Sequence, residues 1–90
     1  MKKAIVTVIG NDKVGIIYNV SKCLAEANIN IMDISQTIQH NYFIMMMFVD
    51  LSNMDTSFED VSKKLESLGE DIGMQIKIQR EEIFQSMHRI

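Results

Sequence analysis

Apolar and polar positions alternate in six blocks along the chain, divided by short runs of Gly, Asn, Asp and Ser. Residues 3–9 form a β-branched run closed by Gly10-Asn11-Asp12, which predicts a first strand. Residues 14–27 carry Ile17, Val20, Leu24 and Ala27 three and four apart, and Ile16 and Cys23 widen the stripe. That period predicts an amphipathic helix, with Asn28 as its left-handed stop. Residues 29–38 mix apolar and polar positions. A strict two-residue alternation puts Asn30, Met32, Ile34, Gln36 and Ile38 on one face and Ile31, Asp33, Ser35 and Thr37 on the other. After a turn at His40-Asn41, residues 42–51 are apolar on both faces. Residues 56–68 return to helical spacing through Phe58, Val61, Leu65 and Leu68. Thr56 and Glu59 there read as a capping box, and Gly69 reads as the stop. Residues 74–80 alternate, with Met74, Ile76 and Ile78 on one face. Residues 81–90 end the chain as a short helix with Ile83, Phe84, Met87 and Ile90 on its apolar side.

This β-α-β-β-α-β order, plus a final helix, predicts an α+β fold: two helices on one face of an antiparallel sheet. The first and third strands are apolar on both faces and belong at the centre; the second and fourth carry polar residues and belong at the edges. The ferredoxin-like order 4-1-3-2 satisfies all four. The expectation is one domain over residues 1–90, with a core at 3–80 and the last helix at 81–90. Two helices cover only one sheet face, so half of the apolar third strand points the other way. A face of that size is seldom left in water. Either the last helix or a second chain must cover it, which motivates a homodimer or higher homo-oligomer.

Composition sharpens this picture. Isoleucine and valine total 20 residues and leucine and alanine only 7, a bias towards strands. Eight methionines include Met45, Met46 and Met47 in a row. With 90 residues, the chain buries about 60–70% of its unfolded surface and gains from association. The net charge of −3 removes non-specific attraction to phosphate backbones, so no direct nucleic-acid binding is expected. The longest apolar run is too short to span a membrane, and the start Met1-Lys2-Lys3 leads into too short an apolar stretch for a signal peptide. A cytoplasmic protein with Cys23 reduced is the expectation.

Candidate chemistry is sparse. Cys23 lies mid-helix on the apolar stripe, where a small core residue is the plain reading. His40 and His88 have no partner at metal-ligand spacing, so no metal or cofactor is expected. The informative stretch is Gly10-Asn11-Asp12-Lys13-Val14-Gly15-Ile16, which joins a central strand to a helix N-terminus. Backbone N–H groups at such a start lack helical partners, and the helix dipole there favours anions. Gly15 either lets the helix pack tightly on the sheet or lets a ligand approach the backbone closely. No nucleotide-loop glycine pattern is present.

Asp12-Lys13-Val14-Gly15-Ile16 at this turn resembles the D-[RK]-x-G-[IL] signature of ACT domains, with Val14 where many members have proline. Asn28-Ile29-Asn30-Ile31-Met32-Asp33-Ile34-Ser35-Gln36 resembles the family's N-I-x-x-[AD]-I-S-Q second strand. The likeness covers about residues 3–80 and is nearest to small stand-alone members, kin to the repeats of the glycine-cleavage transcriptional repressor. It implies a regulatory, non-catalytic module with an amino-acid effector held between the first loop of one chain and the second strand of another. Carried onto this chain, the implied ligand-binding positions are Asn11, Asp12, Gly15 and Ile16 in the loop and Asn30, Ile31, Met32 and Asp33 in the strand. Asp12 could equally cap the following helix, and Asn30 and Asp33 could equally be solubility residues of an edge strand. The competing reading is an interaction protein with a vestigial pocket. Enzymatic readings on the same element order fail on residues: the first loop has no arginine for acylphosphatase chemistry and no thiol pair for a metallochaperone. The third strand lacks the glycine and basic residue of an RNA-binding motif.

Overall fold

A computed structural model describes residues 2–11 and 15–82. Its elements are β1 (Lys3–Asn11), α1 (Ile16–Glu26), β2 (Asn30–Gln39), β3 (Tyr42–Asp50), α2 (Phe58–Ile72) and β4 (Met74–Arg80). The sheet order is β2-β3-β1-β4, all antiparallel neighbours, which is the ferredoxin-like arrangement expected. Of the final helix expected over residues 81–90, Glu81 and Glu82 are helical and residues 83–90 lie outside the described residues.

Register explains the core. Ala4, Val6 and Val8 of β1 lie beside Val49, Met47 and Met45 of β3 and Arg80, Ile78 and Ile76 of β4. Val6, Val8, Met45, Met47 and Val49 are fully buried beneath Val20 and Leu24 of α1 and Val61 and Leu65 of α2. Successive residues of a strand face opposite ways, so Ile5, Ile44, Met46 and Phe48 lie on the face without α1 and α2. Ile44, Met46 and Phe48 are half-buried there, and Ile5 is buried. The methionine triplet is therefore split between two environments, Met45 and Met47 in the core and Met46 outside it.

Four local expectations change. β1 runs on through Gly10 and Asn11, because Gly10 sits against Met74 and a Cβ there would overlap the Met74 Sδ. The N-cap of α2 is Ser57, whose hydroxyl accepts from the Asp60 N–H at 3.1 Å; Thr56 instead donates to the Asp60 carboxylate at 3.3 Å. Gly69 does not stop α2. It is a buried helical residue whose added Cβ would lie 2.5 Å from the Met74 carbonyl oxygen, and the helix ends at left-handed Gly73 (φ 72°). Finally, β2 is not a strict alternation. A bulge between Ile31 and Asp33 leaves Met32 as the extra residue. Ile31 pairs with Val49 on the helix side, and Asn30 and Asp33 pair with Asp50 and Phe48 on the other.

Candidate functional site

The two halves of the expected site lie at opposite ends of the sheet. Asn11 pairs with Tyr42, and Tyr42 with Gln39, so the first loop shares an end with the β2–β3 hairpin. That hairpin turns through His40 (φ 50°) and Asn41 (φ 70°), the paired left-handed geometry of a two-residue turn. Lys3 pairs with Asp50, and Asp50 with Asn30, so the start of β2 is at the other end. Eight strand residues separate the ends, about 26 Å. Asn11, Gly15 and Ile16 are thus together, Asn30, Ile31, Met32 and Asp33 are together, and one chain does not join the two groups. Asp12 lies outside the described residues.

At the loop end, Gly15 is the N-cap of α1 in the left-handed region (φ 86°), with no side-chain capping bond and no acidic residue in the first turn. The first helical bond runs from the Asn19 N–H to the Gly15 carbonyl at 2.9 Å. The N–H groups of Ile16, Ile17 and Tyr18 precede it and have no helical carbonyl to reach. Among the described residues, a Cβ on Gly15 would meet only the Asn19 Nδ2 at 3.8 Å. Tight packing on the sheet therefore does not explain this glycine; its positive φ does. The helix-start donors and the dipole make this end attractive to an anion.

At the strand end, Asp33 accepts the Ile34 N–H at 2.9 Å, and Asn30 is exposed. Nearby, Asp50 accepts both the Ser52 N–H (2.9 Å) and the Ser52 hydroxyl (2.6 Å). Those two bonds hold its carboxyl below the usual range, with the chain's amino terminus and Lys3 adding to the effect. Cys23 packs half-buried against the core, and burial pushes its thiol up, against the opposing pull of Lys64. That keeps it protonated and unreactive at neutral pH.

Between the two ends runs a surface that sequence patterning did not single out. β2 is an edge strand of ten residues. Met32, Ile34 and Ile38 are exposed on it, with Ile17 and Tyr18 exposed on α1. In a helix Ile17 and Cys23 lie about 60° to either side of Val20. The Cys23 flank faces Lys64 of α2, so the Ile17 flank faces β2. An apolar strip thus borders the unpaired edge. The signal in the sequence was the apolar residues left over once the core stripe was filled.

Open clefts lie at both ends of the described sheet. One of ≈ 500 Å³ lies beside the loop end, between Asn11, Tyr42, Glu70 and Met74. The other, ≈ 730 Å³, lies at the opposite end between Lys2, Lys3, Arg80 and Glu82, over Leu51 and Met54. The Arg80 guanidinium is fixed there over the Phe58 ring, 4.3 Å from its centroid. Among the described residues no cluster of three or more His, Cys, Asp or Glu could hold a metal ion, and no helix is long and apolar enough to cross a membrane.

Comparison with known proteins agrees with this architecture. The family model described as an ACT domain matches residues 2–79. A UPF0237 protein of Bifidobacterium longum is 56% identical over 90 residues, covering all of both chains. An ACT domain protein from Streptococcus pneumoniae of known structure superposes with a TM-score of 0.81 at 42% identity, covering 93% of this chain and 94% of that one. A putative glycine cleavage system transcriptional repressor shares the fold at a TM-score of 0.72 and 23% identity, matched over 88% of this chain and 45% of its own.

Proposed function

Because the chain belongs to the ACT domain family, we propose that it is a non-catalytic regulatory module that binds a small amino-acid effector as a homodimer. The supporting observation is the separation of the two half-sites. An edge strand that pairs with its own copy across a two-fold axis runs antiparallel to it. Antiparallel β2–β2 pairing sets the Asn30 end of one chain beside the Gln39 end of the other, where the partner's first loop and α1 start lie. The two half-sites, about 26 Å apart in one chain, then face each other twice per dimer. The N–H groups at the α1 start receive the effector carboxylate. Asn11, Gly15, Ile16, Ile31 and Met32 wall the space, and Asn30 and Asp33 flank it from the sheet face away from α1. Asp12 completes the loop side.

Thermal melting in the presence of each of the twenty L-amino acids at millimolar concentration tests this reading. At least one raises the midpoint, since a ligand of the folded state stabilises it by mass action. A midpoint unmoved by all twenty contradicts effector binding and favours a module that works through protein contacts alone.

A further inference from the structure

The sheet face away from α1 and α2 has an order of its own. Ile5 and Ile9 of β1 lie on it beside Phe48 and Ile44 of β3, with Met46 between them. The outer strands are polar there: Ser35 and Thr37 of β2 pair with Met46 and Ile44, and Gln79 and Lys77 of β4 pair with Ile5 and Thr7. An apolar centre within a polar rim is how protein interfaces are built. The central strands are nine residues long. Four strands about 4.8 Å apart then give an outline of about 19 Å by 30 Å, and two such faces together bury about 1,100 Å². That clears the roughly 1,000 Å² expected of a specific interface. Charge is divided across the face. Among the described residues, Lys3 and Lys77 lie on its β1–β4 half, and Asp33 and Asp50 on its β2–β3 half.

We propose that this face docks a second copy of the chain about a two-fold axis running along the strands, between β1 and β3. Such an axis exchanges the two halves, so each lysine half lies over the partner's aspartate half. Lys3 and Asp50 share a row, so Lys3 meets the partner's Asp50 and the reverse. Lys77 stands in the Thr7 row and Asp33 in the adjoining Ile5 row of this face. Their stagger of about 7 Å is within a lysine's length. The strands of the two sheets keep one direction, as in aligned sheet packing. An axis across the strands through the central row instead sets Lys77 over its own copy, a like-charge contact that costs affinity. That second axis is the one that closes an assembly of four with β2 edge pairing. The first does not meet the β2 edge axis, so using both would add chains without end. A closed dimer therefore uses the face or the edge, and the docking face stands independently of the effector reading.

Sedimentation equilibrium of the whole chain carrying Ile38→Asp, whose charged edge discourages β2 pairing, isolates the face. The expected mass is that of two chains. Adding Lys77→Glu sets like charge against the partner's Asp33 at two symmetry-related places and raises the dimer dissociation constant at least about tenfold. Adding Asp33→Lys to that pair restores opposite charges and the dimer. Ile38→Asp at the mass of one chain up to millimolar concentration overturns the docking face and leaves its cover to residues 83–90 of the same chain. A dimer that Lys77→Glu does not weaken, or that Asp33→Lys does not recover, overturns the two-fold arrangement. Amino acids that raise the melting midpoint bear only on the effector reading, so the two proposals fail separately.

Discussion

Gly15 and Gly69 show how differently two glycines of one chain are required. Gly15 has room for a side chain but a φ of 86° that L residues adopt at a cost; Gly69 has ordinary helical geometry but no room. Gly15→Ala is expected to lose about 1–2 kcal/mol, Gly15→Asn less because Asn tolerates that region, and Gly15→Val more because it is β-branched. Gly69→Ala drives a Cβ against the Met74 carbonyl, which is backbone and cannot swing away, so its loss exceeds that of Gly15→Ala. Urea denaturation of the four variants checks the order. Asp50 gives a second test at this scale. Its folded-state pKa lies below its unfolded value, so its contribution to stability is present above the usual carboxylate range and is lost as pH falls through the folded value. Ser52→Ala removes the hydroxyl bond, the larger of the two causes, and leaves the backbone N–H bond in place. The Asp50 carboxyl then titrates closer to 3.8 in an NMR pH series, and the variant loses part of its pH-dependent advantage near neutrality.

At the scale of elements, the sequence was legible where apolar positions had one possible use. Residues 74–79 of β4 alternate, and β1 and β3 are apolar on both faces, so strand order followed from counting covered sides. Legibility failed where two adjacent residues serve equally. Thr56 and Ser57 are both good caps, and only the chain's path places Ser57 at the helix start. It failed again at β2, because Asn-Ile-Met-Asp-Ile-Ser reads as alternation before and after an inserted residue. The bulge at Met32 is fixed by pairing with β3, which carries Ile31 onto Val49 and Asp33 onto Phe48. The methionines of β3 test the resulting two-faced sheet. Met47→Asp buries an unpaired charge and is expected to cost about 3–5 kcal/mol, enough to unfold most of a domain this small. Met46→Asp lies on the half-buried face and costs less. Equal denaturation midpoints for the two would contradict the assigned register.

At the scale of the whole molecule, the candidate site was half legible. Its residue types were readable from the loop and second-strand patterns, but their separation was not, because distance along a sheet depends on register. Asn11 and Asn30 fall at opposite ends through two successive pairings, each invisible in the chain. The proposed two-fold pairing of β2 would resolve that separation and make each site the joint property of two chains. Subunit mixing tests this most directly. Gly15→Asn, which adds a side chain at the α1 start, and Met32→Glu, which sets a negative charge on the strand side, should each abolish amino-acid binding in calorimetry while remaining folded. Mixed in equal amounts, dissociated and allowed to re-pair, they form heterodimers in which one site combines both unaltered halves and the other both altered ones. Random two-fold pairing then restores about a quarter of the wild-type binding capacity. Binding that stays absent after mixing, or that either variant retains in full by itself, contradicts a site shared between chains.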